Sequence, residues 1–291
     1  MGVGTNQFGF LQGAHLASGI AAAAAPLLAS ALTPTTARGA ATELASFATQ
    51  LVRYPVDFAT DHRRPATLAD KPASPPVLPE PETPGTPVLL VHGFAGTSSI
   101  FTSLRRALRC HGVDDTHTVT YSPLTRDLRT AAERLAKEVE DLCARTGSSR
   151  VHLVGHSLGG LIARYYVQRL GGDRRVDVLV TLGTPHAGIP AARLLSWLPL
   201  VAQLRPDSAA IAELAQPAPG CRTRFVAFYS DLDEVVVPSS RARIDHPDLR
   251  VHHILVHGVG HLTLPMHRSV LRQICALFAG TPAHDGAAVA A

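Results

Sequence analysis

Charge is scarce in this chain of 291 residues: Asp, Glu, Lys and Arg together make up 17% of it, against 46% hydrophobic residues. A chain this long and this apolar can bury one sizeable core, so one main domain is expected. Lysine is scarcer still. It occurs only at Lys71 and Lys137, so the net charge of +4 is almost wholly arginine. Those arginines are scattered among acids and do not form a stripe with interleaved aromatics, which argues against nucleic acid as a partner. The four cysteines, Cys110, Cys143, Cys221 and Cys275, show no CxxC and no Cys/His spacing that would hold zinc. No metal and no cofactor is therefore expected, while free thiols and one or two disulfides both stay open. No internal repeat is visible.

A cationic n-region is also lacking, because no Lys or Arg precedes Arg38. Leu16 to Leu32 is uncharged and includes the run Ala21 to Ala25, so a secretory signal or a membrane-associated stretch has to be weighed. Against it stand the missing positive charges, the shortness of the segment and the interruption at Pro26. Secreted or envelope placement is favoured, with a cytoplasmic one left open. From Ala41 to Phe58, Leu44, Phe47, Leu51, Val52 and Val56 recur at a spacing close to one helical face, suited to packing on the domain or lying on lipid. Prolines then crowd residues 71–86 and exclude regular structure, so residues 1–70 read as an N-terminal segment and 71–86 as a linker. Residues 87–280 form the expected catalytic domain and 281–291 a tail.

After Pro87 the chain alternates. Val88 to Val91 is a compact apolar run ending at His92-Gly93, the pattern of a buried parallel strand that stops at a loop. Thr118 to Tyr121, Val151 to Gly155, Val176 to Leu182, Phe225 to Tyr229 and Val251 to Val256 read as further strands. Ser99 to Cys110 and Leu161 to Leu170 read as helices. Leu128, Ala132, Leu135, Val139 and Leu142 predict an amphipathic helix over Asp127 to Arg145, started by Asp127 and stopped by Gly147. Such alternation predicts an α/β fold with a mostly parallel central sheet and helices on both faces. Ile189 to Pro219 breaks the rhythm with an apolar stretch too long for a connection, and reads as a small helical cap insertion.

Gly155-His-Ser-Leu-Gly159 fits Gly-x-Ser-x-Gly between a predicted strand and a predicted helix, where a serine on a tight turn projects its hydroxyl above the sheet. Together with Val91-His-Gly-Phe94 and Leu182-Gly-Thr-Pro-His-Ala-Gly188, this motif makes the chain resemble the α/β-hydrolase superfamily, and within it bacterial lipases and esterases of the triacylglycerol lipase kind. The resemblance runs from about Pro87 to Phe278. It implies Ser157 as nucleophile, activated by a histidine that a carboxylate orients, in the chain order Ser, acid, His.

The loop Gly183 to Gly188 contains no acid, which leaves Ser230 to Pro238. There Asp233 matches the lipase pattern of an acid shortly before Val-Val-Pro; Asp231 is its rival as a loop residue, and Glu234 is expected to face solvent. Gly258-Val-Gly-His261 resembles the lipase histidine loop and makes His261 the base. His257 is a lesser candidate, His252 and His253 belong to a strand, and His267 to the final helix. The backbone N-H groups of Phe94 and Leu158 are expected to form the oxyanion hole. His92, His156 and His186 lie in nearby loops without a shared ligand spacing, so they are read as structural.

The expected activity is hydrolysis of carboxylic esters with lipid-like acyl chains through an acyl-enzyme. An acyltransferase or thioesterase with the same triad is the first alternative, and a non-catalytic binding protein on a hydrolase scaffold the second. The expected partner is a small-molecule or lipid ester substrate, with membrane or lipid-surface contact and oligomeric state both left open.

Overall fold

A computed structural model describes residues 85–279 apart from 95, 97, 123 and 124. The readings made for residues 1–70, for most of 71–86 and for the tail lie outside the described residues.

Among the described residues the apolar runs become a six-stranded sheet in which every neighbouring pair is parallel, ordered β2-β1-β3-β4-β5-β6. The strands are β1 (Val88–Val91), β2 (Thr116–Val119), β3 (Val151–His156), β4 (Val176–Leu182), β5 (Arg224–Ser230) and β6 (Arg250–Val256). Strands β1, β3 and β4 are buried at every residue, as expected of strands covered on both faces. The edge strands β2 and β6 are only partly buried, which is why His117, His252 and His253 are tolerated in them. Strand β2 begins two residues before the predicted Thr118, and Tyr121 lies beyond its end. A weakly patterned edge strand gives little signal for its bounds, and Tyr121 is used elsewhere, over His92.

Side-chain alternation divides the interior. Leu89 and Val91 enter a core shared with α2 (Leu128–Thr146), α3 (Leu158–Arg169) and the insertion. Val88 and Leu90 enter the opposite core, with α1 (Thr102–Cys110) and the final helix. Helix α2 has the predicted ends: Asp127 accepts the Thr130 N-H at 2.7 Å, and Gly147 terminates it at φ 70°. Helix α3 starts at Leu158, three residues before the predicted Leu161, because Gly159 and Gly160 look like helix breakers but serve close packing.

The insertion is helical, with a 3-10 turn at Pro190–Leu195 followed by α4 (Pro199–Ala202) and α5 (Ala209–Leu214). Its apolar residues Leu198, Leu200, Val201 and Leu204 are turned into the core, and Trp197 remains 63% exposed. Helix α3 holds the far end of the insertion. Tyr165 donates to Glu213, while the buried Arg164 donates to the Leu214 and His186 carbonyls and to Gln168. The final helix, α6, spans Arg268–Ala279, so His267 precedes it and is not part of it. Cys143, Cys221 and Cys275 are free thiols whose pKa burial raises, for Cys275 to about 12.

No helix among the described residues is long and apolar enough to cross a membrane.

The chain leaves β1 outward to β2 and returns past it to β3, so β1 and β3 are neighbours, with Val91 opposite Gly155. At such a reversal the loops leaving two adjacent strands part to opposite faces and open a crevice at their carboxyl ends. His92-Gly93-Phe94 and Ser157 both leave the sheet there.

Candidate active site

Strand β3 ends at His156 and helix α3 begins at Leu158, so the whole change of direction falls on Ser157. Its φ of 53° and ψ of −124° make it the one non-glycine residue with positive φ among those described. Such a conformation costs on the order of 1–3 kcal/mol and persists only where its surroundings impose it. Here they do. The Ser157 N-H donates to the Leu182 carbonyl of β4 at 2.9 Å, and the Gly160 N-H returns to the Ser157 carbonyl at 3.0 Å. A side chain at Gly159 would strike the carbonyl oxygens of Val91 and His92. The turn is thus pressed directly onto the end of β1.

Beyond β5, Asp233 turns inward and is 6% exposed. One carboxylate oxygen accepts the N-H groups of Val235 at 3.0 Å and Val236 at 2.7 Å, and the other lies 2.8 Å from Nδ1 of His261. Burial pushes the Asp233 pKa upward. The His261 ring and the two amides outweigh that push and hold it below the usual carboxylate range. His261 is itself 3% exposed. An imidazole that gives Nδ1-H to a buried carboxylate keeps Nε2 as an acceptor. A Cβ added at Gly183, next in the chain to Leu182, would lie 3.0 Å from both Asp233 Oδ2 and His261 Nδ1. Ser157, Asp233 and His261 are therefore gathered around the carboxyl end of β4.

The rival candidates Asp231 and His257 pair with one another. His257 Nδ1 lies 2.6 Å from Asp231 Oδ2, and the Gly258 N-H donates to Asp231 Oδ1 at 2.8 Å, in an exposed position. His253 accepts the Ile244 N-H, and exposed His267 meets Ser269. Glu234 does not face solvent as expected. It is half-buried and accepts the N-H of His261 at 3.2 Å. That contact crosses from one loop to another, so no local pattern in the sequence marks it.

Phe94 and Leu158 share a geometric property. His92 Nδ1-H, at 2.8 Å, and the Gly96 N-H, at 3.1 Å, both hold the Gly93 carbonyl. Because a trans peptide is planar, fixing that carbonyl fixes the Phe94 N-H on the opposite side. The bond from Gly160 to the Ser157 carbonyl does the same for the Leu158 N-H, which as the first helical residue has no intrahelical acceptor. His92 is stacked on Tyr121 at 4.7 Å, and the Tyr121 hydroxyl donates to the His92 carbonyl at 2.9 Å. Tyr121 was not singled out in the sequence, where it reads only as the end of a strand.

His156 and His186 are buried as well. Nε2-H of His156 donates to the His261 carbonyl at 3.1 Å, and burial lowers its pKa to about 3. His186 meets Thr181 at 3.0 Å and is held well below its ordinary pKa, first by burial and then by the Arg164 charge. Both rings are neutral at physiological pH. Among the described residues no three His, Cys, Asp or Glu side chains converge as metal ligands.

An open cleft of about 430 Å³ lies between Asp127, Arg129 and Tyr165 on one side and the insertion on the other. None of the predicted site residues lines it. Arg129 faces Glu213 there and Arg205 faces Asp207, each across 4.0 Å, so the candidate site is taken from the geometry around Ser157 and not from this volume.

The profile of the palmitoyl protein thioesterase family matches residues 87–218, less than half of the chain. A triacylglycerol lipase of Pseudarthrobacter phenanthrenivorans is 34% identical over 110 residues, covering 35% of this chain and 34% of that lipase. A GPI inositol-deacylase of Candida albicans is 27% identical over 187 residues, which is 56% of this chain and 42% of that protein. In both cases the chain spans less than half of the relative's length. Among solved structures, the Bacillus licheniformis lipase BlEst2 in its propeptide form superposes with a TM-score of 0.54 at 16% identity, over 68% of this chain and 52% of that one. The chain thus shares its fold, that of α/β hydrolases, with this lipase, and the curated relatives it matches over part of its length include triacylglycerol lipases.

Proposed function

We propose that this protein hydrolyses carboxylic esters with lipid-like acyl chains, using Ser157 as nucleophile, His261 as general base and Asp233 as the carboxylate that orients it. The observation that carries the reading is the buried Asp233–His261 pair, 2.8 Å apart, gathered with a strained Ser157 at one end of the sheet.

In this mechanism Nε2 of His261 takes the Ser157 proton as Oγ attacks the ester carbonyl. The Phe94 and Leu158 N-H groups stabilise the negative charge that forms on the carbonyl oxygen. The imidazolium then protonates the departing alcohol, leaving an acyl-serine. Water, activated by the same imidazole, releases the acid and restores Ser157. Asp233 stays ionised throughout, in keeping with its lowered pKa.

Lipid-like acyl chains are supported by what the matched relatives are named for, and by the exposed apolar side chains of Val235 and Val237 in the acid loop and Met266 just past His261. These three, with Trp197, suit contact with an acyl chain or a lipid surface. The buried leucines of the insertion do not add to this argument. A second reading, thioester hydrolysis with the same residues, is favoured by the palmitoyl protein thioesterase profile.

Turnover of nitrophenyl esters of graded acyl length, beside the corresponding acyl thioesters, separates the two readings. Ser157→Ala and His261→Ala should each lower kcat by at least about 10³-fold. Ser157→Ala should also abolish fluorophosphonate labelling. Parental turnover in Ser157→Ala would refute the nucleophile.

A further inference from the structure

His261 is held at more than its ring. Its N-H donates to Glu234 Oε2 at 3.2 Å, and its carbonyl accepts Nε2-H of His156 at 3.1 Å. The two partners come from opposite directions. Glu234 belongs to the loop that also carries Asp233, and His156 is the last residue of β3, next to Ser157. The His156 and His261 rings lie 4.9 Å apart.

We propose that Glu234 and His156 are positioning residues that grip the backbone of His261 from both sides and tie its ring to Asp233 and Ser157 as one unit. The proposal rests on the reading of His261 as the base. Geometry supplies the reason. His261 follows Gly258, with φ of 71°, and Gly260 in the loop after β6, and glycines leave a backbone freer than other residues do. The bond from Asp233 restrains Nδ1 alone, and an imidazole can pivot about one contact. Fixing the N-H and the carbonyl of the same residue removes that freedom. Nε2 then keeps its distance from the serine, which is covalently next to one of the two grips.

The state of His156 suits the task. An Nε2-H that donates to a carbonyl leaves Nδ1 unprotonated, and this ring is fully buried with no partner at Nδ1. Burial keeps the ring neutral, so it adds no positive charge beside an imidazole that must accept a proton. The position also limits what can replace it. Gly93 comes so close that an added Cβ there would lie 3.1 Å from His156 Nδ1.

The exposed Asp231–His257 pair supplies an internal comparison. It joins the same two loops through two contacts, yet touches no atom of His261.

The test is steady-state kinetics on a soluble nitrophenyl ester with Glu234→Ala, Glu234→Gln, His156→Gln, Asp231→Ala, His261→Ala and the Glu234→Ala/His261→Ala double variant. Glu234→Ala should lower kcat by about 10- to 100-fold, the scale of loss from a small misplacement of a reacting group, with KM changed less than about twofold. Glu234→Gln keeps a carbonyl acceptor and should recover kcat to within about threefold of the parent. His156→Gln keeps a donor and, where it unfolds cooperatively, should fall between the two; the Glu234 pair decides the matter if it does not fold. The double variant should be no slower than His261→Ala alone. Parental kcat in Glu234→Ala would overturn the proposal, as would a loss in Asp231→Ala equal to that in Glu234→Ala, which would mean general tethering of the loops. Parental activity in His261→Ala would instead overturn the assignment of the base, and the proposal with it, so the two failures are told apart.

Discussion

Ser157 bears two opposed demands. Its side chain is the proposed nucleophile, and its backbone is held where a Cβ is unwelcome. Glycine accepts positive φ freely, so Ser157→Gly should relieve strain of about 1–3 kcal/mol while giving back roughly 0.5–1 kcal/mol through a freer unfolded chain. The expected result is a variant without activity that is more stable by about 1 kcal/mol, with a melting temperature raised by a few degrees. Calorimetry beside Ser157→Ala, which removes the hydroxyl but keeps the Cβ, isolates the backbone contribution. Ser157 could be proposed from the sequence because its motif is local. Asp233 and His261 could be proposed because the order of their loops resembles that of known hydrolases. Tyr121 over His92, and Glu234 on the His261 amide, could not, since each depends on two loops meeting.

Elements with strong periodicity and end signals were predicted closely. Helix α2 is the best case, its apolar stripe running between a capping Asp127 and a left-handed Gly147. Asp127→Ala should cost about 1 kcal/mol, and Asp127→Asn, which retains an acceptor, much less; denaturant titration of both variants checks this. The start of α3 was harder to place because Gly159 and Gly160 weaken any propensity argument, although they are there to let the helix abut β1 and Thr184. Strand β2 slipped for the opposite reason, having too little apolar alternation to fix its bounds. The insertion was recognised as helical from its composition. Composition does not show direction, however, and most of its leucines turned out to be core.

For the molecule as a whole, burial of imidazoles sets the response to acid. His152, His156 and His186 are buried, and all three have pKa values below the ordinary 6.5, with desolvation the largest cause in each. They are neutral in the folded chain and ordinary in the unfolded one. Below about pH 6.5 the unfolded state binds protons that the folded state refuses, so stability is lost as the pH falls through that point, toward about 3 for His156. Each group contributes a slope of up to about 1.4 kcal/mol per pH unit. The lowered pKa of Asp233 acts in the same direction, through a carboxylate whose protonation the fold resists at still lower pH. Denaturant stability measured from pH 7.5 to 5 should therefore fall more steeply than one group allows. His152 lies against Phe278 at 4.6 Å with neither ring nitrogen hydrogen-bonded, and a buried Asp177 and Arg224 face it. His152→Phe should flatten the pH dependence while leaving activity at pH 7.5 intact.

Among the described residues strand β6 closes the sheet on one side and pairs with β5 alone, yet the loop that follows it carries His261. The border of a sheet opens at lower free energy than its middle. The candidate site is thus completed from an edge of the sheet, and its function should disappear while most of the helix content survives. In urea, the loss of ester turnover should come at a lower concentration than the loss of far-ultraviolet circular dichroism, and amide hydrogens of β6 should exchange before those of β3 and β4. Catalysis would then serve as the most sensitive gauge of whether this chain has finished folding.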